Sequence, residues 1–327
     1  IMNLMFPSII EYQPYNICNA NCTYCPVGSL NRLDKTKGAS LDTKIFELLI
    51  KQTEGKKIKR ISPHLNCEPL LCKDLPDQIR TWKKHHPEAS VDLSTNAVFL
   101  TVEKFQDLYD AGLDILELHF MGVNKTYHEK AMQTNYLKVK DNIEKVLKFK
   151  MENNIKMSTT IFSHRLKGAS LNDWHKFASE WRKKGADISF GPLWNRAGWY
   201  GEEFETKRKG MLKSNVPHPC DKPWQQIAIE HDGEVVLCSL DYKHQVKIGN
   251  INDNTIEEIW NNEMMRKYRD GQNNKEKLCN LDLCKDCIRG GRYVFDEHKL
   301  TKLITANPSN FVSKVAYKAY LYALDII

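Results

Sequence analysis

Three cysteines near the start of the sequence, Cys18, Cys22 and Cys25, form a C-x3-C-x2-C pattern. A structural zinc site needs four ligands, usually as two close pairs, and no fourth cysteine lies nearby. A disulfide framework is typical of short secreted chains, whereas this chain has 327 residues. The pattern therefore indicates a metal site that takes three thiolate ligands from one short loop.

The remaining sequence places these thiolates in a reducing compartment. It contains neither a charged-then-apolar signal segment nor an apolar run close to the roughly 18 residues that a membrane helix needs. We therefore expect a cytoplasmic protein with no membrane contact. The net charge is +7. Its basic runs at 56–60, 181–184 and 207–209 are typical of solvated helix ends and loops, although an anionic substrate or partner would also explain them.

The elements that must position the cysteine loop alternate between strand and helix through the first two hundred residues. The hydrophobic patterns predict strands at 8–17, 58–65, 90–94, 114–120, 155–162 and 186–193, with helices at 40–55, 74–85, 101–112, 135–150 and 170–185. Such alternation is typical of a parallel sheet. Six strands are fewer than the eight of a closed barrel. The sequence therefore predicts an α/β fold with an open, partial (βα)6 barrel, and the cysteine loop follows its first strand.

This loop, with Tyr24 immediately before the last cysteine, resembles the cluster loop of the radical S-adenosylmethionine superfamily. The resemblance implies that Cys18, Cys22 and Cys25 hold a [4Fe–4S] cluster and leave one iron for S-adenosylmethionine. In that superfamily the cofactor is cleaved to a 5′-deoxyadenosyl radical, which takes a hydrogen atom from the substrate. The protein positions and shields this chemistry.

Two further stretches resemble cofactor-binding segments of the same superfamily. "NCEPLL" at 66–71 is similar to the Gly-Gly-Glu-Pro stretch, which implies that Glu68 holds the methionine amino group. Asn66 and Cys67 stand where that stretch has glycines. "STNA" at 94–97 lies where family members hydrogen-bond the ribose hydroxyls, which implies that role for Ser94 and Asn96, as against simple turn chemistry.

One histidine departs from the family pattern. His119 lies in "ELHFMG", where many relatives carry Ser-Ile-Asp-Gly. We expect it to be either a substrate contact or a packed histidine.

The C-terminal third resembles the SPASM/twitch extension, a hairpin and helix that hold auxiliary iron–sulfur clusters. Two cysteines flank a hairpin that turns at Asp232-Gly233, and a cysteine-rich run follows. The run is shorter than in a full SPASM module, so the twitch form with one auxiliary [4Fe–4S] cluster fits better. The resemblance implies four ligands: Cys220, Cys238, Cys284 and Cys287. A zinc site made of the same four cysteines is the alternative.

These resemblances divide the chain into three segments. We expect the partial barrel at 1–210, the auxiliary cluster domain at 211–292 and a helical tail at 293–327.

The auxiliary cluster favours one reaction. A substrate radical beside a second cluster can pass its remaining electron to that cluster, and twitch relatives oxidise aminocyclitol or sugar alcohols in this way. We therefore expect a radical oxidoreductase that acts on a small polar molecule and receives electrons from a donor such as flavodoxin or ferredoxin. A general base must take the hydroxyl proton. Arg196, which follows the sixth strand, is a candidate base or substrate anchor.

Other functions are weighed against oxidation. In an epimerase, Cys67 or Cys279 would return a hydrogen atom to the substrate radical. Peptide modification is disfavoured, because the first strand begins near residue 8 and leaves no room for a peptide-recognition domain before the barrel. A non-enzymatic iron–sulfur carrier has no use for the 66–71 and 94–97 segments. A nucleic-acid-binding module is not expected, because the basic runs lack interleaved aromatic residues.

Overall fold

The computed structural model describes residues 6–29, 38–164, 169–191, 197, 220–285 and 287. Within these residues, six strands pair in parallel and in chain order. They are β1 (Ile9–Tyr12), β2 (Arg60–Ser62), β3 (Ser90–Thr95), β4 (Ile115–His119), β5 (Ser158–His164) and β6 (Asp187–Gly191). The predicted parallel α/β sheet is confirmed, although β1 and β2 are shorter than the apolar patterns indicated.

Helices connect successive strands of this sheet. They are α1 (Pro26–Ser29), α2 (Thr43–Thr53), α3 (Leu75–His85), α4 (Val102–Asp110), α5 (Lys125–Met132), α6 (Tyr136–Glu152) and α7 (Leu171–Lys183). Side chains satisfy the free N–H groups at several starts: Asp42 accepts from the backbone of Lys44, and Thr101 from that of Lys104. Helix α5 is an addition that the sequence patterns did not predict.

The two faces of the parallel sheet differ in chemistry, since successive side chains of a strand point to opposite faces. One face is apolar and fully buried, and it includes Ile61, Val91, Leu93, Leu116, Leu118 and Ile161. These side chains belong to one core cluster with apolar residues of the helices, among them Leu49, Ile79, Phe105, Ile143 and Trp181. The other face is polar and lines a cavity, with Asp92, Ser94, Glu117, Thr160 and Ser189. The sheet therefore presents a hydrophilic interior.

The C-terminal hairpin continues the same sheet. Strand β7 (Gln226–Ile229) pairs in parallel with β1, and β8 (Glu234–Val236) and β9 (Lys247–Asn250) follow in antiparallel pairs. The described strand order is β6-β5-β4-β3-β2-β1-β7-β8-β9. The hairpin turns at Asp232 and Gly233, with a φ of 84° at the glycine. The part predicted as an appended cluster domain is thus built onto the edge of the first strand.

Four short helices complete the described C-terminal part. They are α8 (Lys222–Gln225), α9 (Ile256–Trp260), α10 (Glu263–Gln272) and α11 (Lys275–Leu278). The predicted boundary at 210/211 and the predicted tail at 293–327 lie outside the described residues. Among the helices that are described, none combines the length and the apolar character needed to cross a bilayer.

Candidate active site

One cavity of about 1070 Å³ opens at the carboxyl ends of the parallel strands and extends along the polar face of the sheet. The loop after β1 brings Cys18, Cys22 and Cys25 into its wall. The loops after β2 and β3 add Glu68 and Asn96. Active sites of parallel α/β folds lie at this edge of the sheet. The structure therefore brings the predicted cluster loop and the predicted cofactor contacts to one place.

The cysteine loop is held against α5. Thr23 donates from its backbone to the carbonyl of Ala131 at 2.8 Å, and the thiol of Cys22 lies 3.7 Å from the carbonyl of Met132. The ring of Tyr24 is buried and meets the ring of His164 edge-on, with centroids 4.9 Å apart. These contacts hold the middle of the cysteine loop, and all three of its cysteines are free of disulfides.

The thiols suit a cluster better than a single ion. Burial, followed by the nearby Glu68 carboxylate, raises the pKa of the Cys18 thiol. A bound cation reverses that effect, because a coordinating thiol loses its proton. No three Cys, His, Asp or Glu side chains of the described residues are grouped for one shared metal ion. An iron–sulfur cluster takes one cysteine per iron and so accepts thiolates that are spread around it.

Glu68 joins the ends of β2 and β3. Its side chain is 2% exposed and accepts three hydrogen bonds: from the Thr95 hydroxyl at 2.5 Å, the Asn96 backbone at 2.9 Å and the Leu70 backbone at 3.1 Å. Burial raises the pKa of Glu68, although these bonds favour the charged form. The carboxylate is thus tied to two loops of its own protein. Its predicted contact with a methionine amino group stays a prediction.

Asn66 adopts a glycine-like backbone where the family stretch has glycine. Its φ is +48°, in the left-handed region that asparagine tolerates better than most residues. Its side-chain amide donates to Glu230 of the C-terminal hairpin at 3.4 Å, and its carbonyl accepts from Gln13 at 3.3 Å. The substitution therefore preserves the turn and adds a link to the hairpin.

Cys67 follows in the same turn and lines the cavity. Burial, then the charge of Glu68 and the neighbouring Cys18, raises the pKa of its thiol. Cys67 is therefore a protonated thiol inside the candidate site.

Asn96 contacts the cysteine loop directly. Its amide donates to the side-chain oxygen of Asn19 at 2.9 Å and lies 3.8 Å from the Cys18 sulfur, while its carbonyl oxygen accepts from the Val98 backbone. Ser94 lies on β3, two residues before Asn96, and its hydroxyl donates to Glu117 at 3.1 Å. For both residues, the predicted ribose contact stays a prediction.

His119 lies in the cavity wall at the end of β4, and Glu117 lies beside it on the same face of the strand. Nε2 of His119 is 2.8 Å from Oε1 of Glu117. Burial acts to raise the pKa of Glu117, but the hydrogen bond and charge of His119, with His64 and Ser94, lower it to about 2. His119 is therefore a cavity histidine paired with a carboxylate. Sequence reasoning missed Glu117, although its i, i+2 spacing from His119 on a predicted strand could have revealed it.

More polar groups line the far end of the cavity. The Ser62 hydroxyl donates to Asp92 at 2.5 Å, and Arg60 lies 3.7 Å from the same carboxylate. On the β7 side, Gln226 hydrogen-bonds Glu11. Lys222 then donates to Gln226 at 2.8 Å and to Ser239 at 3.2 Å. The cavity thus offers several fixed donors and acceptors to a polar molecule. None of these residues was identified from the sequence, although their alternation with apolar residues on the strands could have indicated them.

The four cysteines predicted as auxiliary ligands are brought together. Burial, then the nearby Cys238 and Cys287 thiols, raises the pKa of Cys284 to about 12, and burial raises that of Cys220 to about 11. The side chain of Gln272 hydrogen-bonds both the Cys220 backbone and the Cys284 sulfur, and the effects of Cys238 and Cys287 on these two thiols agree with one shared neighbourhood. Four thiols in one neighbourhood that are not grouped closely enough for a single ion form a donor set that suits an iron–sulfur cluster.

Two candidate catalytic residues remain, Cys279 and Arg196. Cys279 is exposed and does not line the cavity. Its predicted role as a hydrogen donor therefore has no support from its position. Arg196 lies outside the described residues.

Comparisons with known proteins agree with this architecture. The family model of the radical SAM superfamily matches residues 12–179, and the model of the SPASM iron–sulfur cluster-binding domain matches residues 220–288. The S-adenosyl-L-methionine-dependent 2-deoxy-scyllo-inosamine dehydrogenase of Niallia circulans is 25% identical over 286 residues, which cover 86% of this chain and 92% of that protein. A probable GTP 3′,8-cyclase of Methanococcus aeolicus is 33% identical over 159 residues, 48% of this chain and 50% of that protein.

Two solved structures show the same fold. The crystal structure of BtrN in complex with AdoMet and 2-DOIA superposes with a TM-score of 0.57 at 22% identity, covering 88% of this chain and 94% of that one. Streptococcus suis SuiB bound to S-adenosylmethionine gives a TM-score of 0.64 at 16% identity, covering 91% and 75%. Since the superfamily model spans more than half of the sequence, the chain belongs to the radical SAM superfamily, as an enzyme that uses S-adenosylmethionine and iron–sulfur clusters.

Proposed function

We propose that this enzyme oxidises an alcohol carbon of a small polar substrate of the aminocyclitol or sugar class. One observation carries the proposal: a single cavity is lined both by the three-cysteine loop and by Ser239, Leu240 and Tyr242, which follow the auxiliary-site Cys238. A substrate in that cavity can face both cofactor sites. The similarity to the inosamine dehydrogenase over 92% of its length supports the same class of reaction.

The proposal assigns the cysteines to two clusters. Cys18, Cys22 and Cys25 would hold the cluster that binds S-adenosylmethionine, and the four cysteines at 220, 238, 284 and 287 would hold the auxiliary cluster. When bound, these groups supply the radical that removes a hydrogen atom and an acceptor for the second electron. A small reduced redox protein, such as flavodoxin or ferredoxin, would supply electrons to the enzyme.

The lining of the cavity supports a polar, hydroxylated substrate. Carboxylates of Glu11, Asp92 and Glu117 and cations of Arg60 and Lys222 alternate with hydroxyl groups around it. Carboxylates accept hydrogen bonds from hydroxyl or ammonium groups, and the cations donate to hydroxyl oxygens. These groups already bond neighbouring side chains, and an apolar substrate would displace water from them without offering any further hydrogen bond, which disfavours its binding.

Epimerisation is the second candidate function, and Cys67 favours it. This cavity thiol is held protonated, as a hydrogen donor must be. Oxidation is preferred because it uses the auxiliary site and requires no further cysteine.

The test uses reconstituted, reduced enzyme with S-adenosylmethionine in deuterated water. 2-Deoxy-scyllo-inosamine and a panel of related cyclitols and sugars serve as probes. Oxidation predicts 5′-deoxyadenosine together with a ketone that carries no deuterium at the attacked carbon. Cys220→Ala should still form 5′-deoxyadenosine but stall before the ketone. An isomerised alcohol with one deuterium at that carbon would instead establish epimerisation, and loss of that product in Cys67→Ala would identify the donor.

A further inference from the structure

The pair formed by Glu117 and His119 has a defined hydrogen-bond direction. Both side chains project from the cavity face of β4, two residues apart. The register aligns Ser94 of β3 with Glu117, and the Ser94 hydroxyl donates to the same Oε1 that meets His119 Nε2. Glu117 thus accepts one bond from each neighbour.

The carboxylate determines which histidine nitrogen carries the proton. Glu117, with its lowered pKa, is charged at neutral pH and can only accept hydrogen bonds. Nε2 of His119 must therefore be the protonated nitrogen, which leaves Nδ1 of the neutral ring with a lone pair. Nδ1 has no hydrogen-bond partner in the described part of the chain.

The ring of His119 lies between the cysteine loop and the interior of the cavity. Phe162 packs on the His119 ring at 5.1 Å between centroids, and His164 lies at 6.5 Å. His164 in turn meets Tyr24 of the cysteine loop. The titratable groups around the pair are Glu68 after β2, His64 after β2 and His164 on β5. A base at this place can reach a substrate that lies against the cysteine loop.

We propose that His119 is the general base that takes the hydroxyl proton of the substrate, and that Glu117 is a positioning residue that fixes its tautomer. In this step the O–H bond breaks, an N–H bond forms at Nδ1 and the electron pair stays on the substrate oxygen. The inference rests on the proposed alcohol oxidation, in which the hydrogen atom and the second electron leave to the cofactors. It assigns the role for which Arg196 was considered from the sequence.

The experiment measures the rate of ketone formation by the holoenzyme and by its variants. The substrate is the alcohol from which the wild type makes most ketone. His119→Gln should lower the rate of ketone formation by about 100-fold or more, the usual contribution of a general base, and remove the fall in rate on the acid side of the pH profile. Its iron content and its binding of substrate, measured by calorimetry, should stay within about threefold of wild type. His85→Gln, at the exposed end of α3, is the matched control and should behave as wild type.

Glu117→Gln supplies a readout that a purely structural role would not move. Without the anion, Nε2 loses the acceptor that fixes the tautomer, so kcat should fall while KM for the alcohol stays unchanged. Added imidazole should restore ketone formation to His119→Ala. Full activity with an unchanged pH profile in His119→Gln would overturn the inference and leave the proposed function intact. Failure of the wild type to oxidise any alcohol would overturn both.

Discussion

The side chain of Gln272 links two of the four auxiliary-site cysteines. Its Nε2 donates to the sulfur of Cys284 at 3.4 Å, and its Oε1 accepts from the backbone N–H of Cys220 at 3.2 Å. Gln272 is 2% exposed, at the end of α10. The amide therefore holds both ends of the cysteine set from one buried position.

Gln272→Leu should lower the reduction potential of the auxiliary cluster. Hydrogen bonds to cluster sulfurs favour the more negative, reduced form, so the loss of one makes reduction harder. A redox titration followed by electron paramagnetic resonance would measure the shift, with Gln106→Leu on the exposed face of α4 as the control. An unchanged potential with full iron content would show that the amide only packs against the site.

Replacement of Cys18, Cys22 and Cys25 together by Ala should remove about half of the iron and all cleavage of S-adenosylmethionine. Two [4Fe–4S] clusters contain about eight irons, and each cluster depends on its own cysteines. Iron analysis and detection of 5′-deoxyadenosine check this. Iron equal to that of the wild type would disprove the assignment of the loop.

Glu68→Gln should destabilise the protein even without cofactors. The amide presents N–H groups to donors that now bond a carboxylate, so one or more of the bonds from Leu70, Thr95 and Asn96 is lost. We expect a loss of about 1–3 kcal/mol in the free energy of unfolding, measured by urea denaturation of cluster-free protein. Weaker binding of S-adenosylmethionine should follow, since the affected loops adjoin Cys18. If only cofactor binding changed, Glu68 would act as a direct ligand and not as a tie between loops.

Glu117 should make the stability of the cluster-free protein depend on acid pH. Its pKa falls from the usual 4.5 in the unfolded chain to about 2 in the fold, so its stabilising effect is complete above pH 4.5 and is lost as the pH falls toward 2. One pKa unit corresponds to about 1.4 kcal/mol, and the side chain is 30% exposed, so we expect about 1–2 kcal/mol. The difference between wild type and Glu117→Gln should therefore shrink between pH 5.5 and pH 3 in urea denaturation. A difference that stays constant over this range would argue against a charged, paired Glu117.

Local patterns in the sequence were sufficient for the parallel sheet and for the position of the cysteine loop. Hydrophobic periodicity predicts strands one at a time, and the C-x3-C-x2-C spacing lies within eight residues. Of the pair Glu117 and His119, only His119 was identified from the sequence. Glu117 was missed because a polar residue on a strand is equally typical of a solvent-exposed face. The pairing of β7 with β1 depends on contacts between distant segments and has no local pattern. The exposure of Cys279 depends in the same way on how α11 packs.

The pairing of β7 with β1 also affects how the protein folds while it is being synthesised. Ser8 donates from its backbone to Gln225, 217 positions later, and β1 has β7 as its neighbour on that side. While the chain is being synthesised, the edge of β1 stays open until these residues leave the ribosome, and open apolar edges such as Ile9–Tyr12 invite pairing with other chains. The C-terminal third therefore covers the open edge of β1 in the newly made barrel, in addition to its role as a redox module. A truncation before residue 226 should yield aggregated protein and not a smaller enzyme with one cluster.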